Sequence, residues 1–246
     1  MSDALLMRFH GVLLLICTLH FAHADWENPA VQQRLEISSG GLHGQLSNWV
    51  RLSARNRMVN CTVAYRHSLP SGAYIDAGEL PASLASRMWF AKEFDVEAPA
   101  WLSSAQGVVI YNEHLILNAF TFEDSWNIPV RLRYQSPQPG GGHSVVRFGL
   151  PEILFRCLNS RPHASQPIAT LQCYANALIS SEKCDYVVLE SGKKAWKEAV
   201  VPRGNSNLKF VAVYATVALY TFTSFALLKF LFPVAKRHLG CWIKVD

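Results

Sequence analysis

What this chain does not contain narrows its chemistry first. Asp-x-Asp, the pattern by which many sugar-transferring enzymes hold a metal, does not occur; the nearest approaches are Asp95-Val96-Glu97 and Glu123-Asp124. The first sits beside Ala98-Pro99 at an expected strand end, and the second, ahead of Trp126 and Pro129, reads as a charged turn. No Cys-x-x-Cys or His-x-x-x-His sets metal ligands at close spacing, and His43, His67, His114, His143 and His163 are scattered singly. Nucleophile elbows, Walker loops and dinucleotide fingerprints are missing. Gly140-Gly141-Gly142 lacks the Lys-Ser/Thr and helix start of a phosphate cradle. No cofactor, metal ligand or catalytic residue is assigned on these grounds.

A basic face is missing too. The formal charge is +5, yet residues 25–207 carry 17 basic and 16 acidic side chains. The surplus sits at Arg8 and at Lys209, Lys229, Lys236, Arg237 and Lys244. Those positions flank apolar segments and make no nucleic-acid footprint, so no nucleic-acid partner is expected.

Long apolar runs are few, and there are two of unequal length. Residues 11–21 follow Arg8, are too short to span a bilayer, and lead to Ala22-His23-Ala24, a small-x-small triplet typical of signal cleavage. Residues 210–228 form a run of 19 without a charge; at ~1.5 Å per residue it reaches ~28 Å, close to the hydrocarbon thickness. The expected plan is a signal (1–24), a lumenal domain (25–190), a basic juxtamembrane stalk (191–209), a membrane helix (210–232) and a cytosolic tail (233–246). This is a type I protein of the secretory pathway. Ala212 and Thr216 make a small-xxx-small pair suited to packing against another membrane helix.

Cysteine usage fits an oxidising lumen. Four of the six cysteines (Cys61, Cys157, Cys173 and Cys184) fall in the expected lumenal part, and four allow three connectivities. Cys157 with Cys173 is the preferred pair, because the bond would close the short excursion between them. Asn60-Cys61-Thr62 is an N-glycosylation acceptor, and a disulfide at Cys61 competes with that use.

Between the apolar segments the signal is of strands. Ile128, Val130, Leu132 and Tyr134 alternate with Pro129, Arg131 and Arg133, and Cys61, Val63, Tyr65 and His67 alternate likewise. The Pro/Gly stretch 137–142, followed by Val145, Val146 and Phe148, predicts a hairpin with a long, flexible tip. Residues 108–111, 115–117 and 187–189 are short apolar runs suited to buried strands. Leu42, Leu46, Trp49 and Val50 have helical spacing amid glycines, and residues 79–90 have room for a turn or two of helix. Short strands punctuated by Gly and Pro predict a mainly β domain, an antiparallel sandwich or barrel.

One stretch is distinctive: His67-Ser68-Leu69-Pro70-Ser71-Gly72-Ala73-Tyr74-Ile75-Asp76, then Glu79-Leu80. Pro70 fixes φ and Gly72 permits a positive φ, the makings of a type I or II turn after which Tyr74 and Asp76 open a strand. Together with Phe94-Asp95-Val96-Glu97-Ala98-Pro99, the strand pair 145–157 and Cys173-Tyr174, it resembles the PIG-X family. The family's Asp-Pro-Tyr after the motif's Asp is replaced here by Ala77-Gly78. The resemblance implies a non-catalytic, single-span subunit of the endoplasmic reticulum mannosyltransferase that adds the first mannose to the glycosylphosphatidylinositol precursor. It also implies dolichol-phosphate mannose as donor and a polytopic catalytic partner similar to PIG-M. The turn at residues 69–72 either merely closes a hairpin or forms a rigid corner that presents Tyr74 and Asp76 to that partner. The rival expectation is a type I cell-surface or cargo receptor with a β-sandwich ectodomain.

Overall fold

The computed structural model describes residues 28–92, 95–158, 166–175, 178–189 and 195–242, with side chains as far as residue 231 and without that of residue 175. The expected signal, Phe94, residues 159–165, the stalk residues Lys193 and Lys194, and residues 243–246 of the expected tail lie outside the described residues. In chain order the strands are β1 (Ala30–Gly40), β2 (His43–Leu69), β3 (Ala73–Tyr74), β4 (Met88–Phe90), β5 (Gln106–Tyr111), β6 (Ile116–Leu132), β7 (Gln135–Gln138), β8 (Gly142–Gly149), β9 (Glu152–Cys157), β10 (Ile168–Ala175), β11 (Leu178–Leu189) and β12 (Trp196–Asn205). A one-turn helix α1 (Ala82–Ala85) precedes β4, and a long helix α2 (Lys209–Trp242) follows β12. The expectation of a mainly β domain carrying one C-terminal apolar helix holds.

β2, 27 residues long, is the spine. Its first half pairs with β1 on one edge and β6 on the other; its second half pairs with β9 on the β1 edge and β5 on the β6 edge. A register shift between Ser53 and Met58 bends the strand, which curls the nine-stranded sheet. A second, three-stranded sheet in the order β7-β12-β8 packs against the large one across a shared core. Val146, Phe148, Ala199 and Val201 of that sheet join Leu46, Val50, Val63, Tyr65 and Ile128 in the main core.

The outer face of the middle of the large sheet is covered by the β10–β11 hairpin. Tyr174, Cys173, Cys184 and Tyr186 pack there on Ala64, Val109, Tyr111 and Leu154. Strands buried on both faces read as continuous apolar runs, which is why Val63-Ala64-Tyr65, residues 108–111 and residues 153–155 are buried without a break.

Several expectations are corrected. The helical spacing of Leu42, Leu46, Trp49 and Val50 lies in or just before β2. There Leu46, Asn48, Val50 and Leu52 face the core at period two, and Trp49 points out. The stretch 79–90 does hold helix, as α1 and a preceding 3-10 turn. Glu123-Asp124 lies inside β6 and is no turn; Asp95-Val96-Glu97 lies in the irregular connection between β4 and β5. Leu115 and Leu117 are exposed.

The strands flanking the Pro/Gly stretch do not form a hairpin, because β12 is inserted between them, parallel to β7 and antiparallel to β8. Gly140, Gly141 and Gly142 all have positive φ, and the loop is tied down by Gly140 N–H donating to Asn205 Oδ1 at 3.0 Å. β12 also removes most of the expected stalk: Ala199 and Val201, inside residues 191–209, are core residues.

The cysteines pair as Cys61–Cys157 and Cys173–Cys184, so the preferred Cys157–Cys173 bond is not formed. Register decides the matter. Cys61 and Cys157 face each other across β2 and β9, whereas Cys173 and Cys184 share the β10–β11 hairpin.

From β12 the chain passes through a 3-10 turn, Ser206–Leu208, capped by the Asn205 side chain, directly into α2. Among the described residues Ser206–Leu231 is the one helical stretch long and apolar enough to cross a membrane, and none of it is buried. Thr216, Thr221 and Thr223 donate their hydroxyls to carbonyls a turn earlier; Thr216 Oγ1 reaches Ala212 O at 2.8 Å. Such back-bonding satisfies polar groups where no water is present.

A corner where two signature segments meet

The Leu69–Leu80 stretch is built as a buried corner. Leu69 ends β2 inside the core, and Ala73 N–H donates to Pro70 O at 3.0 Å to close the turn. Gly72 serves close approach; positive φ is not its role, since it is not among the glycines with φ above zero. A Cβ there would stand 2.9 Å from Val146 Cγ2 and 3.2 Å from Gln135 Nε2. Buried Ile75 is held through its backbone by the Gln106 carboxamide, which accepts from Ile75 N at 2.9 Å and donates to Ile75 O at 3.4 Å.

Arg133 joins this corner to the Asp95–Pro99 segment. The side chain is buried, with 5% of its surface exposed, and its guanidinium lies 4.5 Å above the centre of the Tyr74 ring. From there Nη1 donates to the carbonyls of Ala98 and Val96, while the Arg133 backbone N–H donates to Gly72 O at 2.8 Å. Burial lowers the Arg133 pKa, opposed by nearby Tyr74 and Asp95. Asp95 itself is turned back to accept from Glu97 N–H at 2.9 Å. Two segments that are separate in sequence are thus one site in space, and the residue between them carries the joint.

Tyr74 and Asp76 are spent internally. Tyr74 is half-buried beneath Arg133, and Asp76 accepts from Gly78 N–H at 2.9 Å as the cap of the 3-10 turn. Glu79 pairs with Arg131, which also contacts the His43 ring at 2.7 Å. That pairing draws the Glu79 carboxyl below its ordinary pKa. Leu80 is half-buried against the main core.

What the corner shows to solvent is apolar and was not legible from the sequence. Val96, Trp101, Leu102 and Tyr134 are exposed, and they are held together by Ala100 N–H donating to Tyr134 O and Leu102 N–H donating to Pro99 O, each at 3.0 Å. The alternation along β6 predicts Tyr134 inside and Arg133 outside. The structure reverses them, because β6 ends at Leu132 and the period slips there, burying Leu132 and Arg133 in succession.

Elsewhere the ionisable groups are structural in placement. Tyr65 Oη donates to Asp124 Oδ2 at 2.8 Å; burial raises the Asp124 pKa, and that hydrogen bond opposes the rise. His67 is buried, which pushes its imidazole down to about 4, opposed by the Gly149 backbone. Among the described residues no group of three or more His, Cys, Asp or Glu is arranged to hold a metal. An open groove of about 440 Å³ crosses the outer faces of β1, β2 and β6, lined by Arg34, Glu36, Trp49 and Asn127 among others.

Asn60 and the Ala212–Thr216 pair fall away from this corner. Asn60 lies in β2 and is the one non-glycine residue with positive φ, 52°, among those described. Ala212 and Thr216 lie in α2.

Residues 39–232 match the family model described as PIG-X / PBN1. A Mus musculus protein is 26% identical over 165 residues, covering 62% of this chain and 61% of that protein. A Homo sapiens protein is 27% identical over 154 residues, covering 60% of this chain and 56% of its own length. Both are named GPI alpha-1,4-mannosyltransferase I, stabilizing subunit. The chain spans about three-fifths of the length of the curated relatives it matches. No solved structure matches.

Proposed function

This chain belongs to the PIG-X / PBN1 family, and from that premise we propose that it is a non-catalytic, stabilising subunit of an endoplasmic reticulum mannosyltransferase. The reaction served is addition of the first mannose to the glycosylphosphatidylinositol precursor from dolichol-phosphate mannose. The catalytic partner is a polytopic subunit similar to PIG-M. The observation that carries this reading is the family match over residues 39–232, in which relatives are named as a stabilizing subunit.

The physical argument runs the same way. An enzyme acting on a polyisoprenyl donor shelters that lipid among several membrane helices, and the described residues offer a single exposed apolar helix. The β head belongs in the lumen, where its two disulfides form and persist. With β12 leading straight into α2, the head sits close to the membrane surface. The exposed apolar face of the Arg133 corner is then held near the lumenal loops of the partner, while Ala212 and Thr216 pack against its helices. Association with a folded partner raises that partner's apparent stability by mass action.

Expressing the catalytic subunit with and without this chain tests the proposal. The expected result is that its abundance and its mannosylation of the precursor both fall when the chain is missing. Unchanged abundance and activity would overturn it.

A further inference from the structure

We propose that Asn60 is an N-glycan acceptor whose use is confined to the interval before the Cys61–Cys157 bond closes. The inference rests on the lumenal reading above. It draws on three features of one tripeptide.

In the folded chain every residue of Asn60-Cys61-Thr62 is held by β9 or by Leu158, which follows it directly. Leu158 N–H donates to Asn60 O at 3.1 Å. Cys61 is fully buried and bonded to Cys157. The Thr62 hydroxyl donates to Arg156 O at 3.4 Å. Glycan transfer requires the hydroxyl of the third residue and a tripeptide free to bend into an enzyme's groove. A docked β9 denies both.

Before β9 exists, none of these restraints does. Cys157 lies 96 residues beyond Cys61, and synthesis at ~5–20 residues per second leaves Cys61 without its partner for roughly 5–20 s. During that interval the tripeptide is an acceptor without its β9 restraints. The folded geometry then tolerates the product. Asn60 adopts a left-handed conformation that asparagine accepts readily, and it is partly exposed. The donor is a lipid-diphosphate-linked oligosaccharide. Asn60 Nδ2 forms a bond to C1 of the first sugar, the C1–oxygen bond to the lipid diphosphate breaks, the diphosphate leaves with the bonding pair, and the amide gives up one proton to the transferring enzyme's base.

The test uses the full chain in cells, read by the mobility shift on removal of N-glycans. Four forms are compared: wild type, Asn60→Gln, Cys157→Ser, and Asn60→Gln carrying Leu178→Asn. The last change, with Ile179 and Ser180, completes an acceptor tripeptide at the start of β11, where Leu178 is exposed. The expected result is a one-glycan shift in wild type, its loss in Asn60→Gln, and occupancy in Cys157→Ser at or above the wild-type level. No shift in either wild type or Cys157→Ser, with Leu178→Asn glycosylated, overturns the proposal and leaves the lumenal reading standing. Occupancy that falls when Cys157 is removed also overturns it. No glycan on any form overturns the lumenal placement and the proposal together.

Discussion

Replacing Arg133 with methionine keeps the apolar stem and removes the charged head, and three losses follow. The cation–π contact with Tyr74, at 4.5 Å, contributes ~0.5–2 kcal/mol. The hydrogen bonds from a charged donor to the Ala98 and Val96 carbonyls contribute about 1.5–3 kcal/mol, and a carbonyl left without its donor adds to the cost. Against this, the guanidinium no longer has to be stripped of water, which returns part of the sum. The net expectation is a loss of roughly 2–3 kcal/mol. For a domain of this size each kcal/mol moves the melting temperature by ~2–4 °C, so Arg133→Met is expected to melt about 4–12 °C lower.

Thermal unfolding of the detergent-solubilised full chain, followed by intrinsic fluorescence, measures this. Limited proteolysis reports whether residues 95–102 come loose first. Arg133→Lys is expected to fall between the two, since an ammonium cannot lie flat on Tyr74 and still reach the carbonyls. Pairing Arg133→Met with Tyr74→Leu in a double-mutant cycle isolates the ring contact at about 1 kcal/mol. An Arg133→Met protein that melts with wild type and resists protease equally would refute the view that this side chain joins the two segments.

Three further outcomes are expected. An unfolded imidazole takes up its proton near 6.5 and the folded His67 only near 4. The unfolded chain therefore binds more protons between those values, and stability falls as pH falls through them, by roughly 3 kcal/mol at ~1.4 kcal/mol per unit. His67→Leu should flatten melting temperature against pH in that window. Cys61–Cys157 closes 96 residues and Cys173–Cys184 closes 11, so loop entropy gives ~4.7 and ~2.8 kcal/mol respectively; Cys157→Ser should melt well below Cys184→Ser. Gly72→Ala drives a methyl to 2.9 Å from Val146 Cγ2 and should cost about 1–3 kcal/mol, largely recovered by adding Val146→Ala, as the same melts will report.

Much of the architecture could be read from one dimension because it rests on periodicity and length. The alternation Cys61-Val63-Tyr65-His67 puts those four side chains in the core, where all are found. The uncharged run at 210–228 becomes a continuous exposed helix. These are local consequences of strand pleat and of helix rise, and no distant residue is needed to establish them. The Leu69–Leu80 stretch was likewise visible as a turn, although the reason for Gly72 was not: its constraint comes from Val146, 74 positions away.

What escaped the sequence is what depends on which strand lies beside which. Cysteine spacing favours Cys157 with Cys173, but β2–β9 register sets Cys61 opposite Cys157. The basic residues after 190 read as a tether, yet β12 enters between β7 and β8 and becomes the centre of a sheet. Arg133 reads as an outward residue of an alternating strand, and the end of β6 turns it inward onto Tyr74 and the Ala98 carbonyl. Residue type and spacing marked the alternating strands, the apolar helix and the turn after Leu69, because those states are stabilised by neighbours in the chain; at Leu46, Trp49 and Val50 and at Glu123-Asp124 the local signal misled and the β2–β6 pairing decided. Pairing, burial of a charge and the union of two remote segments are decided only when the sheet closes, because their free energy lies in contacts between residues that the chain itself keeps far apart.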